Sequence, residues 1–497
     1  MASPAAAELT EFPFGELLSP LVSKGWIQLD LAAAAIPSQM LSPDARLALT
    51  RGLLHYLSGF ALPTLYSEFL LYQELEGAPL WGRRSGSARA YQGFIAHLRN
   101  GGLEEAAKEY PALSQLLESW TSGWARSHGE LLRRLREDWS EIAPAFGMAG
   151  MAAHIDQLEP YQSDPHHGGD AVSILTMESG ARFVYKPRAT QMEQWFGDLL
   201  SFVNACGFSA PFRVPTILSR EGYGWVQYIA HRDCTNTVDV QAFYRRAGGL
   251  LCLLALLQAT DIHHENLIAS GDQPVLVDIE TLLQPLVGDT ASPAELLLNT
   301  GLLPRTGTLD FSALGARATI TTPFEVITCR GGNSDAMEIV SARYEAPRRK
   351  NAPTVHEVAQ EFTAFRDDIR QGFEEVFLLV MQGRSELLAR GGLLDRLTSA
   401  GGRRVLRSSN DYGMLMQASL APRFMRDAEA RRMLLINELP GASTAELEAL
   451  RGMNVPHLAR EAEEFERCRR QVLERVRGLS EAHLSAYAEA LDAALGS

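Results

Sequence analysis

The stretch TDIHHENLIASGDQPVLVDIETLL, residues 260–283, decides how the chain is read. Asp261, His263, Glu265 and Asn266 fall within one turn, and after a short apolar run Asp278 and Glu280 stand inside an otherwise apolar segment. Burying carboxylates beside Val-Leu-Val costs several kcal/mol unless something pairs them. A metal ion or a cationic ligand is the expected partner.

Upstream of this stretch, GGLLCLLALLQA at 248–259 is the most apolar run of the chain. It is too short to span a bilayer and reads as the end of a buried helix covering about 237–259. Before it, AVSILTM, ARFVYKP, RVPTILS and GWVQYIA are short β-rich runs punctuated by Gly, Pro or charge, and MEQWFGDLLSFVNAC between them is helical in pattern. They predict a small antiparallel sheet with one helix. Residues 1–150 and 351–497 carry apolar residues at three- and four-residue spacing and read as helical. The expected regions are 1–150, helical; 151–235, a small β lobe with a phosphate loop; 236–350, a core with catalytic and metal motifs; and 351–497, helical. An α+β fold of two kinase-like lobes inside helical extensions follows from that order.

Phosphoryl transfer needs a lysine on the phosphates, carboxylate and amide ligands for Mg²⁺, and a group that orients the attacking hydroxyl. Lys186 ends the strand ARFVYKPR and is the phosphate candidate. Asp261 is the hydroxyl-orienting candidate, Asn266 the metal amide ligand and Asp278 the principal Mg²⁺ ligand. Glu280 shares the face of Asp278 if the chain stays extended. Each piece has a plainer structural reading: a strand-end surface lysine, a turn-forming loop, and a strand running into solvent. Their joint order favours phosphotransfer. Glu193 follows the lysine strand at a distance suited to a helix glutamate. No G-x-G-x-x-G precedes the lysine; SDPHHGGDAV at 163–172 stands there instead, with Gly168 and Gly169 permitting close backbone approach and Asp164 and His166 adding side chains.

Composition narrows the partners. Forty-six Lys and Arg against 60 Asp and Glu give a formal charge of -14, which disfavours nucleic acid and anionic lipid. The five cysteines are scattered without a C-x-x-C pair, so neither a disulfide framework nor a thiolate zinc site is expected. MASPAAAELTEFPFG lacks the basic and apolar regions of a signal peptide. A cytoplasmic protein with no membrane span is the expectation.

DPHHGG, VYKPR, TDIHHENLI, VDIETL and GLLP at 301–304 together resemble the dehydratase domain of LanM-type (class II) lanthipeptide synthetases. FPFGELLSPLV, YPALSQLLESW, LLRRLREDW, ELEALRGMNVPHLA and LSEAHLSAYAEAL extend the likeness over nearly the whole chain. The resemblance implies a lipid-kinase-like fold that uses ATP and Mg²⁺, with ADP as product. Such an enzyme phosphorylates Ser and Thr of a ribosomally made precursor peptide and then eliminates phosphate, leaving dehydroalanine or dehydrobutyrine. By position, Asp164 and His166 match the family's loop residues, Lys186 its phosphate lysine, Asp261, His263 and Asn266 its catalytic loop, and Asp278 with Glu280 its metal-site pair. RRVLRSSNDY at 403–412 resembles the family's elimination motif, with arginines at Arg403 and Arg407, Ser409 where Thr is usual, and Tyr412 closing it. Arg403 suits phosphate capture, because guanidinium groups bind phosphate bidentately. No counterpart of the family's zinc-bearing cyclase domain is expected within these residues, since Cys468 is the one cysteine in the last hundred. The expectation is that ring formation happens elsewhere, by a separate cyclase or another tailoring enzyme, or not at all.

Three other readings stand beside this one. The chain could be a peptide Ser/Thr kinase without elimination. His166, His167, His263 and His264 with Asp261, Asp278 and Glu280 could form a two-metal hydrolase. A non-catalytic pseudokinase would capture a leader peptide and present it to a partner enzyme.

Overall fold

A computed structural model of the chain describes residues 10–32, 40–76, 87–286, 291–305, 310–315, 321–345, 350–398 and 402–496. Residues 1–9, part of the stretch read as lacking a signal peptide, lie outside the described residues. The fold mixes helix with antiparallel strands. It divides into two compact units, each drawn from three separate stretches. The first holds Met1–Pro187, Thr322–Tyr344 and Leu406–Leu458; the second holds Arg188–Thr321, Glu345–Val405 and Ala459–Ser497.

In the first unit the helix Pro43–Leu75 starts where Ser42 Oγ accepts from Ala45 N at 3.0 Å and Pro43 presets the first turn. Leu49, Leu53, Leu54 and Leu57 recur at helical spacing and are all buried. The helix Pro111–Ala145 buries Trp120 and Trp124, whose rings meet Phe60 at 5.0 Å and Trp26 at 5.3 Å. Three antiparallel strands follow: β1 Ile155–Glu159, β2 Ser173–Met177 and β3 Arg182–Lys186. Leu175 pairs with Phe183 and Ile174 with Val184, and a turn at Gly180 (φ +80°) joins β2 to β3. Buried Ser173, Leu175 and Met177 alternate with half-buried neighbours, the period-two pattern expected of a one-sided sheet. Lys186 breaks that pattern. It is 4% exposed next to buried Tyr185, so it is not a surface charge.

In the second unit Gln191–Ala205 is the helix expected between the strand pairs, and β4 Ile217–Arg220 with β5 Tyr223–Gln227 is an antiparallel hairpin. The helix Thr237–Leu256 is capped by Asn236 Oδ1, which accepts from Val238 N and Asp239 N at 2.8 and 3.2 Å. Its last two turns, Leu250–Leu256, are buried on every side, as the apolar run requires. They form one core with the helices Arg366–Leu387, Ala462–Gly478 and Glu481–Gly496. After the helix, β6 Leu267–Ser270 and β7 Gln273–Leu276 make a tight hairpin through Gly271 (φ +64°). Among the described residues no helix is long and apolar enough to cross a membrane, and none of the five cysteines is in a disulfide. The sequence pattern did not reveal the strands Thr321–Arg330 and Glu338–Glu345, which pair with each other.

Candidate active site

The carboxylates that opened the question are paired by two arginines of the chain itself, all within the second unit. Arg188 Nη2 meets Asp278 Oδ1 and lies 2.9 Å from Glu193 Oε1, while its Nε is 3.2 Å from Glu280 Oε2. Arg403 Nη2 donates to Asp261 Oδ2 at 2.9 Å. Its Nε lies 2.7 Å from Glu280 Oε1 without hydrogen-bond alignment, so that contact is ionic. Glu280, 7% exposed, therefore has a guanidinium on each oxygen. Internal guanidiniums thus offset the burial of these carboxylates. Burial opposes the charge of both arginines, yet Asp278, Glu280 and Glu193 hold the Arg188 proton well above its ordinary range, and Glu280 and Asp261 raise that of Arg403.

The backbone explains how these side chains converge. β7 stops at Leu276, two residues short of Asp278, yet Asp278 and Glu280 still reach one guanidinium. Thr260 N donates to Thr281 O and Leu283 N to Leu257 O, which ties the segment to the end of the long helix. Arg403 N donates to Glu280 O at 2.8 Å, and Arg460 donates to the carbonyls of Leu282 and Leu283, locking the 403 strand alongside. Asp261 adopts φ +61°, a left-handed conformation that Asp tolerates better than most residues. Asn266 Nδ2 donates to the Asp261 carbonyl at 2.8 Å and stabilises that turn. GLLP at 301–304 supports it from beneath. Ile262 N donates to Thr300 O, and a Cβ on Gly301 (φ +79°) would sit 3.1 Å from Ile262 N. Glu265 N donates to His263 Nδ1 at 3.3 Å, so the neutral ring carries its proton on Nε2.

The other predicted residues belong to the first unit. In the 163–170 loop His166 N donates to Asp170 O at 2.8 Å, and His167, Gly168 and Gly169 take φ +43°, +84° and +102°. Gly168 N and Gly169 N both donate to Asn454 Oδ1, at 3.0 and 3.1 Å. His166 Nδ1 lies 2.6 Å from Val455 O, and the His166 and His167 rings flank His457 at 5.3 and 5.9 Å. Asp164 adds to burial in raising the Tyr56 hydroxyl to about 12. The elimination motif is divided: Arg403 lies in the second unit, while Arg407, Ser409 and Tyr412 lie in the first. Arg407 Nη1 lies 2.6 Å from Glu446 Oε1, which also accepts from Tyr412 Oη at 2.8 Å. Burial disfavours the Glu446 charge, but Ser443 N, Tyr412 and Arg407 hold its carboxyl below the usual range. Ser408, not Ser409, caps the helix Ser409–Ala418, and Ser409 is exposed.

Sequence reasoning missed Arg188, Asn454 and Glu446. Arg188 had a signal: buried carboxylates call for guanidinium, and it stands two residues after the lysine. Asn454 had none, because Gly169 is 285 positions away. Among the described residues no three His, Cys, Asp or Glu side chains are grouped to hold a metal ion.

A family model described as "Domain of unknown function (DUF4135)" matches residues 110–460, more than half of the chain. The chain is also similar to the Lacticin 481/lactococcin biosynthesis protein LcnDR2 of Lactococcus lactis subsp. lactis, at 21% identity over 363 residues. That match covers 66% of this chain and 37% of the relative, so the chain spans well under half of that protein's length.

Proposed function

The chain belongs to the DUF4135 domain family, and starting from that membership we propose that it acts in lanthipeptide biosynthesis, as a dehydratase that phosphorylates Ser and Thr of a ribosomally made precursor peptide and then eliminates the phosphate. One observation carries this reading. Arg403, from the segment resembling an elimination motif, is ion-paired to Asp261, from the segment resembling a kinase catalytic loop. One group of side chains can then serve consecutive reactions at the same oxygen.

For transfer, Asp261 has one carboxylate oxygen on Arg403 and is 32% exposed; its Oδ1 hydrogen-bonds no described residue. A peptide hydroxyl meeting that oxygen is oriented for attack, which is the help phosphoryl transfer requires. Asn266 and Asp278 fit Mg²⁺ by donor chemistry. With its nitrogen on Asp261 O, the Asn266 amide oxygen accepts from no described residue, and Asp278 keeps Oδ2 beside the oxygen held by Arg188. The four carboxylates Asp261, Asp278, Glu280 and Glu193 set against Arg188 and Arg403 leave a formal surplus of two negative charges among these six groups, which favours a divalent cation. When bound, Mg²⁺ supplies charge neutralisation on the phosphates of ATP.

For elimination, the Cα–H bond breaks and its proton passes to Asp261 Oδ1, the electron pair left behind forms the Cα=Cβ bond, and the Cβ–O bond breaks so that inorganic phosphate departs with that bond's electrons. Arg403 accompanies that phosphate as a bidentate donor, and His263 offers its Nε2 proton to it. Intact-mass spectrometry with ATP, Mg²⁺ and a Ser/Thr-rich precursor peptide tests both steps. Wild type should remove one water per modified residue. Arg403→Ala should stop at phosphopeptide, and Lys186→Ala or Asp278→Ala should leave the peptide unmodified. Water loss persisting in Arg403→Ala overturns the elimination role, and peptide modification without nucleotide overturns the kinase step.

A further inference from the structure

We propose that Asn454 is a positioning residue for the 163–170 loop, an inference that rests on the reading of that loop as part of the ATP-dependent site. The loop's two glycine amides point to a single acceptor. Gly168 N and Gly169 N, within a run of three successive left-handed residues from His167 to Gly169, donate to Asn454 Oδ1 at 3.0 and 3.1 Å. Successive N–H groups converging in this way form a concavity suited to an oxygen, and here the oxygen belongs to the chain.

The hold is more than one contact. Val455 N donates to Pro165 O at 3.0 Å, and His166 Nδ1 donates back to Val455 O at 2.6 Å. Asn454 Nδ2 donates to Gly452 O at 2.7 Å and so fixes its own amide with the oxygen toward the loop. Arg431, 5% exposed, donates to Arg451 O at 2.8 Å and steadies the turn in which Met453 takes φ +56°. From the other side the helix Pro111–Ala145 comes so close that a Cβ on Gly123 would lie 2.0 Å from Gly168 O, and Arg126 donates to His167 O at 2.7 Å. Four hydrogen bonds join residues 454–455 to the loop. Displacing the segment for each turnover would break all four, so Asn454 stays in place and fixes where Asp164 and His166 stand.

The acceptor oxygen and the amide nitrogen make separable claims. Asn454→Leu keeps the volume and removes both; Asn454→Asp keeps the oxygen alone. The full chain is titrated with the magnesium complex of a fluorescent N-methylanthraniloyl ATP. Losing two buried amide contacts should weaken binding by about tenfold in Asn454→Leu, whereas Asn454→Asp should stay within about threefold of wild type. Equal or tighter binding by the leucine variant overturns the inference, the tighter case marking Asn454 as a gate. An aspartate variant as weak as the leucine variant also overturns it. If the leucine protein does not fold, amide hydrogen exchange on wild type decides. Protected Gly168 and Gly169 amides support the hold, and exchange at the rate of an open loop ends it. Wild type that binds no nucleotide analogue overturns instead the functional reading on which the inference rests.

Discussion

Glu280 sits between two guanidiniums, and Arg188 faces three carboxylates; the second fact sets a stability prediction. Removing Arg188, whose side chain is 15% exposed, takes a guanidinium from Asp278, Glu193 and one oxygen of Glu280, whose other oxygen keeps Arg403. Breaking a buried pair from one side costs about 3 kcal/mol or more, because the abandoned charges dominate. Arg188→Ala should therefore lower the urea midpoint markedly. Arg188→Lys should recover little, since one ammonium cannot present the separate Nε and Nη2 directions that meet Glu280 and the two other carboxylates. An alanine variant unfolding at the wild-type midpoint would contradict this account of the cluster. The need for a cation beside VLVDIE was legible in the sequence; its identity was not, because Arg188 and Asp278 are 90 positions apart. The buried state of Lys186 was equally hidden, as a strand-end lysine before proline ordinarily faces water.

At the scale of elements, two helices of the second unit meet through reciprocal glycines. A Cβ on Gly248 of the helix Thr237–Leu256 would lie 1.9 Å from Ile369 O, and one on Gly372 of the helix Arg366–Leu387 would lie 1.7 Å from Arg245 O. Backbone therefore touches backbone at the crossing, and each glycine is fixed by the other helix's carbonyl rather than by any turn. In an exposed helix Gly→Ala stabilises by about 1 kcal/mol through propensity. Here the sign should reverse: Gly248→Ala or Gly372→Ala must push the helices apart and lose about 1–3 kcal/mol by overpacking. Thermal unfolding of each variant reads the sign directly, and a melting temperature at or above wild type would show that the crossing yields easily. The long buried helix was legible in GGLLCLLALLQA from its apolar run. The helix Gln191–Ala205 and the strands at 173–186 and 217–227 were legible from their periodicity and their Gly and Pro boundaries. The glycine crossing was not, since a pair of glycines in a helical pattern says nothing of which carbonyl they meet.

At the scale of the molecule, connectivity governs what can be cut away. A reading by consecutive segments suggests that residues 351–497 are an addition to a kinase-like core, but the structural units are interleaved along the chain. Leu406–Leu458 brings Asn454 to the glycine amides of the first unit, and Ala459–Ser497 brings Phe465, Cys468, Val472, Val476 and Leu491 into the same core as Leu250–Leu257 of the second. Local patterns cannot show this, because interleaving is a property of long-range contacts. A chain ending at Val405 would thus expose apolar core in the second unit and unlatch a loop in the first. At about 25 cal/mol per Å² of apolar surface returned to water, five such side chains alone lose on the order of 10 kcal/mol, comparable to the whole stability of a domain. The truncated protein should lack a cooperative thermal transition, be digested throughout by a low dose of protease, and bind no magnesium–nucleotide analogue. It should not behave as a kinase that merely lacks elimination. A truncated chain that melts cooperatively and still phosphorylates peptide would show that the segments after Val405 are dispensable for both cores and for phosphoryl transfer.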